Sequence, residues 1–264
     1  MKIIAHRGAS GEFPENSLLA FEQAIIQGCD AIEFDVQFHQ PSETFILLHD
    51  SYLEVDVDVD VDVDVKKSKS HTIDSTTGNI SEKVHFNQLP LNELLNTATD
   101  AKYKICTLTQ ALECIKGQCQ INIELKSAAQ SAQLLDQIQR LSHLLVQAKT
   151  QQLITYQQLI ISSFNHHALL LVAEHLPEIT TAALIACCPI TYAEFCKKLN
   201  VKMLNLSIEC LNPEIVNDAH RRGLQVWVYT VDNVVQIKQC LAYQVDGIFT
   251  NFPQRTREII STLN

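Results

Sequence analysis

Long apolar runs are missing from this sequence. No stretch approaches the roughly 18 consecutive apolar residues of a membrane-spanning helix, and the N-terminal MKIIAHRGAS carries too short an apolar run for a signal-peptide core. Basic clusters are scarce as well. Lys and Arg total 20 against 30 Asp and Glu, for a net charge of −10, and the longest basic run is Lys66-Lys67-Ser68-Lys69. A polyanion such as nucleic acid is therefore excluded as the main partner. A single phosphate group is not excluded, because a few local cations or a metal suffice to hold it. Glycine and proline number only seven each, which rules out a fibrous or linker-rich chain. The nine cysteines include no C-x-x-C pair, are odd in number, and lack histidines at zinc-ligand spacing. They read as reduced thiols of a cytoplasmic protein, neither a disulfide framework nor a zinc site.

What is present is alternation. A chain of 264 residues has room for one large core. Short apolar segments at 2–6, 31–36, 44–49, 120–125, 159–163, 180–186, 202–206, 225–230 and 247–250 predict strands. Amphipathic stretches lie between most of them. In 127–146, for example, Leu134, Leu135, Ile138, Leu141 and Leu145 fall on one helical face. Alternating β and α elements over this length predict a TIM-type (β/α)8 barrel spanning 1–264 as one domain. These nine segments are one too many for it. The link between 36 and 44 is too short for a crossover helix and holds Pro41-Ser42, a turn signal, so the third strand is expected to pair antiparallel with the second.

Residues 51–106 interrupt the alternation and are expected to form a small inserted subdomain over the barrel mouth. Within them, 55–65 is a strict Val-Asp repeat whose period of two suits a strand with aspartates on one face. Asp56, Asp58, Asp60, Asp62 and Asp64 offer oxygens for calcium, but no glycine turn or terminal glutamate of an EF-hand accompanies them. A solvated low-complexity segment is the simpler reading.

Four short segments at strand ends hold reactive side chains, and the C-terminal ends of barrel strands converge on one mouth. His6-Arg7-Gly8 supplies a proton carrier, a planar cation suited to phosphate and a sharp turn. In Glu33-Phe34-Asp35 the carboxylates at i and i+2 share a face. In a barrel lumen they call for a hard cation, although a solvent-facing acidic strand fits that motif alone. His49-Asp50 ends the third strand, where hairpin pairing would bring His49 near Glu33 and Asp35. Glu124-Leu125-Lys126 ends a later strand and adds a carboxylate and a cation. Together they supply two histidines for general acid and base work, three carboxylates for a metal, and two cations for a developing phosphoryl charge.

The segments HRGAS, PENS, IEFDV, LLHD and IELK, followed in order by LIISSF, LNLSIECL, GLQVWVYTVDN and DGIFTNFP, closely resemble the glycerophosphodiester phosphodiesterase family over nearly the whole chain. VYTVDN is most similar to its cytosolic bacterial members. The resemblance implies a barrel of the phospholipase C-like phosphodiesterase kind. It also implies hydrolysis of a small glycerophosphodiester to glycerol 3-phosphate and an alcohol, through a cyclic phosphate or by direct attack of water. In its terms His6 and His49 are the acid–base pair, Glu33, Asp35 and Glu124 hold one divalent ion (Mg²⁺ first, Ca²⁺ as the alternative), and Arg7 and Lys126 contact phosphate. Pro14-Glu15-Asn16-Ser17 matches a family segment, and its expected role is to cap the helix at 17–27. Tyr229 stands where many relatives have Trp, as a candidate lining of the mouth. Where relatives continue from the HD segment into an Arg-Thr-Thr-Asn-Gly-like run, Leu53 leads into the Val-Asp repeat and only 74–78 is similar. Headgroup preference is open for that reason. Two rivals are a phospholipase D-like enzyme of the sphingomyelinase D type and a protein that binds phosphate esters or a partner without turnover. The first lacks an apolar rim or anchor in the sequence, and the second does not account for seven intact reactive residues.

Overall fold

The computed structural model describes residues 1–57, 71–73, 80–96, 98–100, 103–127 and 131–263. Most of the Val-Asp repeat, including Asp58, Asp60, Asp62 and Asp64, lies outside the described residues, as do 66–69 and 74–78.

The apolar segments form eight parallel strands: β1 (Lys2–His6), β2 (Ala31–His39), β9 (Gln120–Leu125), β10 (Leu159–Ser163), β11 (Thr180–Ile185), β12 (Met203–Ser207), β13 (Gln225–Tyr229) and β14 (Gly247–Thr250). They pair in the order β1-β14-β13-β12-β11-β10-β9-β2, and β2 returns to β1, which closes the barrel. The ninth expected strand, β3 (Thr44–Leu47), pairs antiparallel with β2 from Val36 against Leu47 to His39 against Thr44. Pairing with β3 carries β2 three residues past its expected end, since a strand continues where its backbone groups find partners.

Helices α1 (Leu18–Ile26), α3 (Leu108–Ile115), α4 (Ser131–Thr150), α5 (His166–His175), α6 (Cys196–Leu199), α7 (Pro213–Arg221), α8 (Val234–Ala242) and α9 (Pro253–Leu263) cross between strands or follow the last one. Their starts carry local signals. Ser17, Asn165, Asn212 and Asn233 accept hydrogen bonds from backbone N–H groups of the first turns of α1, α5, α7 and α8, and Thr107 with Gln110 makes a capping box on α3. Helix α4 is described from Ser131 to Thr150, and residues 128–130 before it lie outside the described residues. Leu134, Ile138, Leu141 and Leu145 are buried on its inner face, whereas Leu135 is exposed, being one 100° step around the helix from Leu134.

Strands are buried on both faces. Outward-facing Ile32, Phe34 and Val36 pack with Leu112, Leu141 and Ile161 in one layer under the helices, and Leu204, Val226 and Ile248 lie in a second. Inside the barrel, Ile4, Ala31, Ile160, Ala182, Met203, Trp227 and Phe249 form a floor. A Cβ at Gly247 would come within 2.8 Å of Ile4 and of the Trp227 ring, so only glycine leaves Trp227 its place in that floor. The apolar floor seals one end and leaves the polar residues of the strand ends at the other.

Between β3 and α3, the described residues add a three-stranded antiparallel sheet of β4 (Tyr52–Val57), β5 (His71–Ile73) and β6 (Ile80–His85), a short helix α2 (Leu91–Leu94), and the hairpin β7 (Ala98–Asp100) with β8 (Tyr103–Lys104). Leu53, Phe86, Leu94 and Ile105 pack on Ile46 and Leu48 of the β3 segment as a small separate core. All nine cysteines are free thiols. Among the described residues, no helix is long and apolar enough to cross a membrane.

Candidate active site

Strand register assembles the acidic centre. Glu33 and Asp35 alternate with outward-facing Phe34 on β2, and Asp35 sits opposite Glu124 of β9, while His6 of β1 sits opposite Glu33. Ligand oxygens of Glu33, Asp35 and Glu124 all lie within 4.8 Å of one another. Glu33 and Asp35 are almost fully buried, at 2% and 1% exposure. Three carboxylates so close and so poorly solvated demand compensation. Part of it comes from the chain. Arg7 Nε lies 3.0 Å from Asp35 Oδ2, Lys126 Nζ lies 3.4 Å from Asp35 Oδ1 and 3.2 Å from Glu124 Oε1, and the Arg7 backbone N–H donates to Glu33 Oε2 at 3.0 Å.

The compensation is uneven. Burial works to raise the Asp35 carboxyl, but Arg7, Lys126 and the Asn16 amide outweigh it and hold it below the ordinary aspartate range. Glu33 is held well above its usual range by burial and then by the charges of Asp35 and Glu124. Glu124 is pushed up to about 7, again by burial first and Asp35 second, against the pull of Lys126. Glu33 Oε1 is buried with no hydrogen-bond partner. An unpartnered carboxylate oxygen aimed into a cluster of carboxylates fits a hard divalent cation, and all-oxygen donors favour Mg²⁺ or Ca²⁺ over softer metals.

Arg7 adopts a left-handed backbone with φ 57°, followed by Gly8 at φ 82°. A Cβ on Gly8 would meet the Ala20 backbone at 2.7 Å, so glycine is what lets the chain turn against α1 and swing the guanidinium inward. The PENS segment does cap α1, but through Ser17. Asn16 and Glu15, for which capping was the expected role, face the site instead. Asn16, left-handed at φ 55°, donates from Nδ2 to Asp35 Oδ2 at 3.0 Å and accepts from the Asp35 backbone N–H at 3.1 Å, and Glu15 accepts from Arg7 Nη1 at 2.7 Å.

The two histidines are held differently. His6 Nδ1 is 2.8 Å from Asn251 Oδ1. The orientation of that amide is set by Asp232, whose carboxylate only accepts: it takes the Asn251 side-chain Nδ2–H at 2.6 Å and the Asn251 backbone N–H at 2.8 Å. Asn251 Oδ1 therefore faces the ring as an acceptor, Nδ1 of neutral His6 carries the proton, and Nε2 keeps its lone pair. Burial, and next the Arg7 charge, hold the His6 pKa below its usual value despite the opposing Asn251 bond. His49 follows β3. Leu48 N donates to Asp35 O, Gln37 Nε2 donates to the carbonyls of Leu48 and His49, and His49 Nδ1 pairs with Asp50 Oδ1 at 2.8 Å. Asn251 and Asp232 carried no signal in the sequence beyond their presence in the family-like segments, and Gln37 lies outside those segments. Tyr229 lies at the end of β13, where its hydroxyl donates to Ile185 O at 2.8 Å and its ring meets Phe164 edge-on.

From this centre a groove of roughly 590 Å³ opens outward, lined at its inner end by His49, Glu124 and Lys126. His85 at the end of β6, and Phe86 and Asn87 after it, line its outer part together with residues of α4.

Comparison with known proteins places this geometry. A glycerophosphodiester phosphodiesterase of Bacillus altitudinis is 27% identical over 269 residues, covering 98% of this chain and 97% of that protein. The structure of an Oleispira antarctica phosphodiesterase in complex with the product sn-glycerol-3-phosphate superimposes with a TM-score of 0.80 at 23% identity, covering 99% of this chain and 97% of the other. A glycerophosphodiester phosphodiesterase from Parabacteroides distasonis superimposes with a TM-score of 0.75 at 24% identity, covering 100% and 98%. At such identities the structural likeness speaks for the fold. Residues 6–255 match the sequence profile of one family. Because that stretch runs from His6 to within ten residues of the end of the chain, this protein belongs to the glycerophosphoryl diester phosphodiesterase family.

Proposed function

We propose that the protein hydrolyses glycerophosphodiesters to glycerol 3-phosphate and an alcohol, with one divalent cation, Mg²⁺ before Ca²⁺, held by Glu33, Asp35 and Glu124. The observation that carries this reading is the cluster of three carboxylates around an unpartnered Glu33 oxygen, flanked by histidines on two different strand ends. The cation, when bound, polarises the phosphoryl oxygens and neutralises the carboxylates.

The chain's own residues supply the rest. His6, neutral and with Nε2 unprotonated, accepts the proton of the attacking hydroxyl. His49, with Nδ1 committed to Asp50, delivers a proton from Nε2 to the departing alcohol oxygen. Arg7 and Lys126 carry the fixed positive charge that favours the more highly charged phosphoryl group of the transition state. Asn16 and Glu15 hold Asp35 and Arg7 in place. Residues 51–106 act as a cap, since His85, Phe86 and Asn87 extend the wall of the groove beyond the barrel mouth. The work takes place on a small water-soluble substrate in the cytoplasm.

The test is release of glycerol 3-phosphate from glycerophosphodiesters, with EDTA and then with added Mg²⁺ or Ca²⁺. Release that chelation abolishes and an added ion restores is the expected result. Release indifferent to chelator would remove the metal from the proposal, and no release from any diester would remove the hydrolysis.

A further inference from the structure

The groove opens from the reacting centre on the side of His49, and His6 is not among its lining residues. In an in-line displacement at phosphorus the attacking and departing oxygens stand on opposite sides. With His6 holding the lone pair that receives a proton, the departing alcohol is the part of the substrate on the His49 side, so the groove is where the headgroup lies. This step rests on the roles proposed above.

The chemistry of the groove is distinctive. Apart from His49, Glu124 and Lys126 at its inner end, the one titratable lining residue among those described is His85, whose Nδ1 accepts the Asn87 backbone N–H. Glu124 is already engaged by Lys126. The outer walls are carboxamides. Gln137 of α4 accepts a hydrogen bond from Ser127 at Oε1, and Asn87 accepts one from the Gln40 backbone N–H at Oδ1. Among the described residues, the Nε2 of Gln137 and the Nδ2 of Asn87 are left as donors without a partner. The side chains of Gln40 and Gln133 also line the groove.

Among the described lining residues, Phe38 and Phe86 are buried at 6% and 4% exposure, the half-buried His85 ring is stacked on Phe86, and Phe164, at 49%, is the one phenyl ring open at the rim. A quaternary ammonium is recognised by several aromatic faces or by a carboxylate, and a primary ammonium by a carboxylate or a set of acceptors. This groove offers neither arrangement, and it begins at a lysine. Hydroxyl groups, which both donate and accept, match carboxamides instead. At roughly 590 Å³ the space takes a headgroup larger than glycerol.

We infer that the groove is the alcohol subsite and that it selects uncharged polyhydroxyl headgroups, such as glycerol, inositol or a sugar, over choline and ethanolamine.

The experiment compares kcat/KM on four diesters that share the glycerol 3-phosphate half and differ in headgroup: glycerol, inositol, choline and ethanolamine. Release of glycerol 3-phosphate is the common readout, with Mg²⁺ present. The polyol diesters are expected to lead by about tenfold or more, as two or three neutral hydrogen bonds allow. Gln137→Leu should lower kcat/KM on the inositol diester by roughly 3–10-fold, mainly through KM, and narrow its ratio to the choline diester. Gln137→Glu should shift the ratio further toward the ammonium headgroups. A wild-type preference for choline or ethanolamine overturns the inference while leaving the hydrolytic reading intact. So does an equal loss on all four diesters in Gln137→Leu. Failure of every diester with either Mg²⁺ or Ca²⁺ overturns the hydrolytic reading and the inference with it.

Discussion

Stripped of divalent cations, the protein is expected to become less stable as pH rises from 5 to 8. Glu124 has its folded-state pKa raised from 4.5 to about 7, chiefly by burial and by Asp35 beside it, and Glu33 is displaced in the same direction. Between those pH values the folded protein therefore holds more protons than the unfolded chain, and stability falls with pH. The contribution is fully present below about pH 4.5 and is lost as the pH passes through about 7. At about 1.4 kcal/mol per pH unit, Glu124 alone costs roughly 2–3 kcal/mol between pH 5 and 8. For a chain of this size that lowers Tm by roughly 4–10 °C. Other groups titrate over the same range, so the assay is differential: thermal melts of wild type and Glu124→Gln, both in EDTA, from pH 5 to 8. Glutamine imitates the protonated side chain, so the variant should melt close to wild type at pH 5 and several degrees higher at pH 8. With Mg²⁺ or Ca²⁺ in excess the order should reverse, because only the wild type keeps all three carboxylates. A metal-free variant that melts no higher than wild type at pH 8 would refute the view that these carboxylates are stabilised by an ion rather than by the chain.

His6→Ala and His49→Ala are each expected to lower kcat by about 10²–10⁴-fold without loss of the folded state, checked by circular dichroism beside the rate assay. Asn251→Leu removes the acceptor that fixes the His6 proton on Nδ1. It should cost about 1–3 kcal/mol of transition-state stabilisation, seen in kcat with KM little changed. Ser17→Ala removes the cap of α1 and should lower stability by about 0.5–2 kcal/mol in denaturant titrations.

Much of this architecture was legible locally. Strand and helix periods are set by side chains near in sequence, so the eight barrel strands and the hairpin around Pro41 could be placed without a structure. The same period of two put Glu33 and Asp35 on one face of β2. The cap of α1 was legible for the same reason, and Ser17 provides it. The limits of local reading show at α4, where the same apolar pattern did not distinguish exposed Leu135 from buried Leu134.

Convergence was decided elsewhere. That Asp35 lies opposite Glu124, and His6 opposite Glu33, depends on strand register and on closure of β1 against β2, which no short stretch of residues specifies. Asn251 reaches His6 across 245 positions of sequence, and Asp232 turns its amide. Asn16 leaves the cap for Asp35 because a left-handed turn aims it there. The sequence by itself determined which candidate residues stand at the strand ends, because that follows from residue type and near-neighbour periodicity. Which of them meet, that Glu33 Oε1 is left without a partner and which histidine nitrogen holds the proton were decided only by the tertiary structure, since each depends on groups brought together by barrel closure.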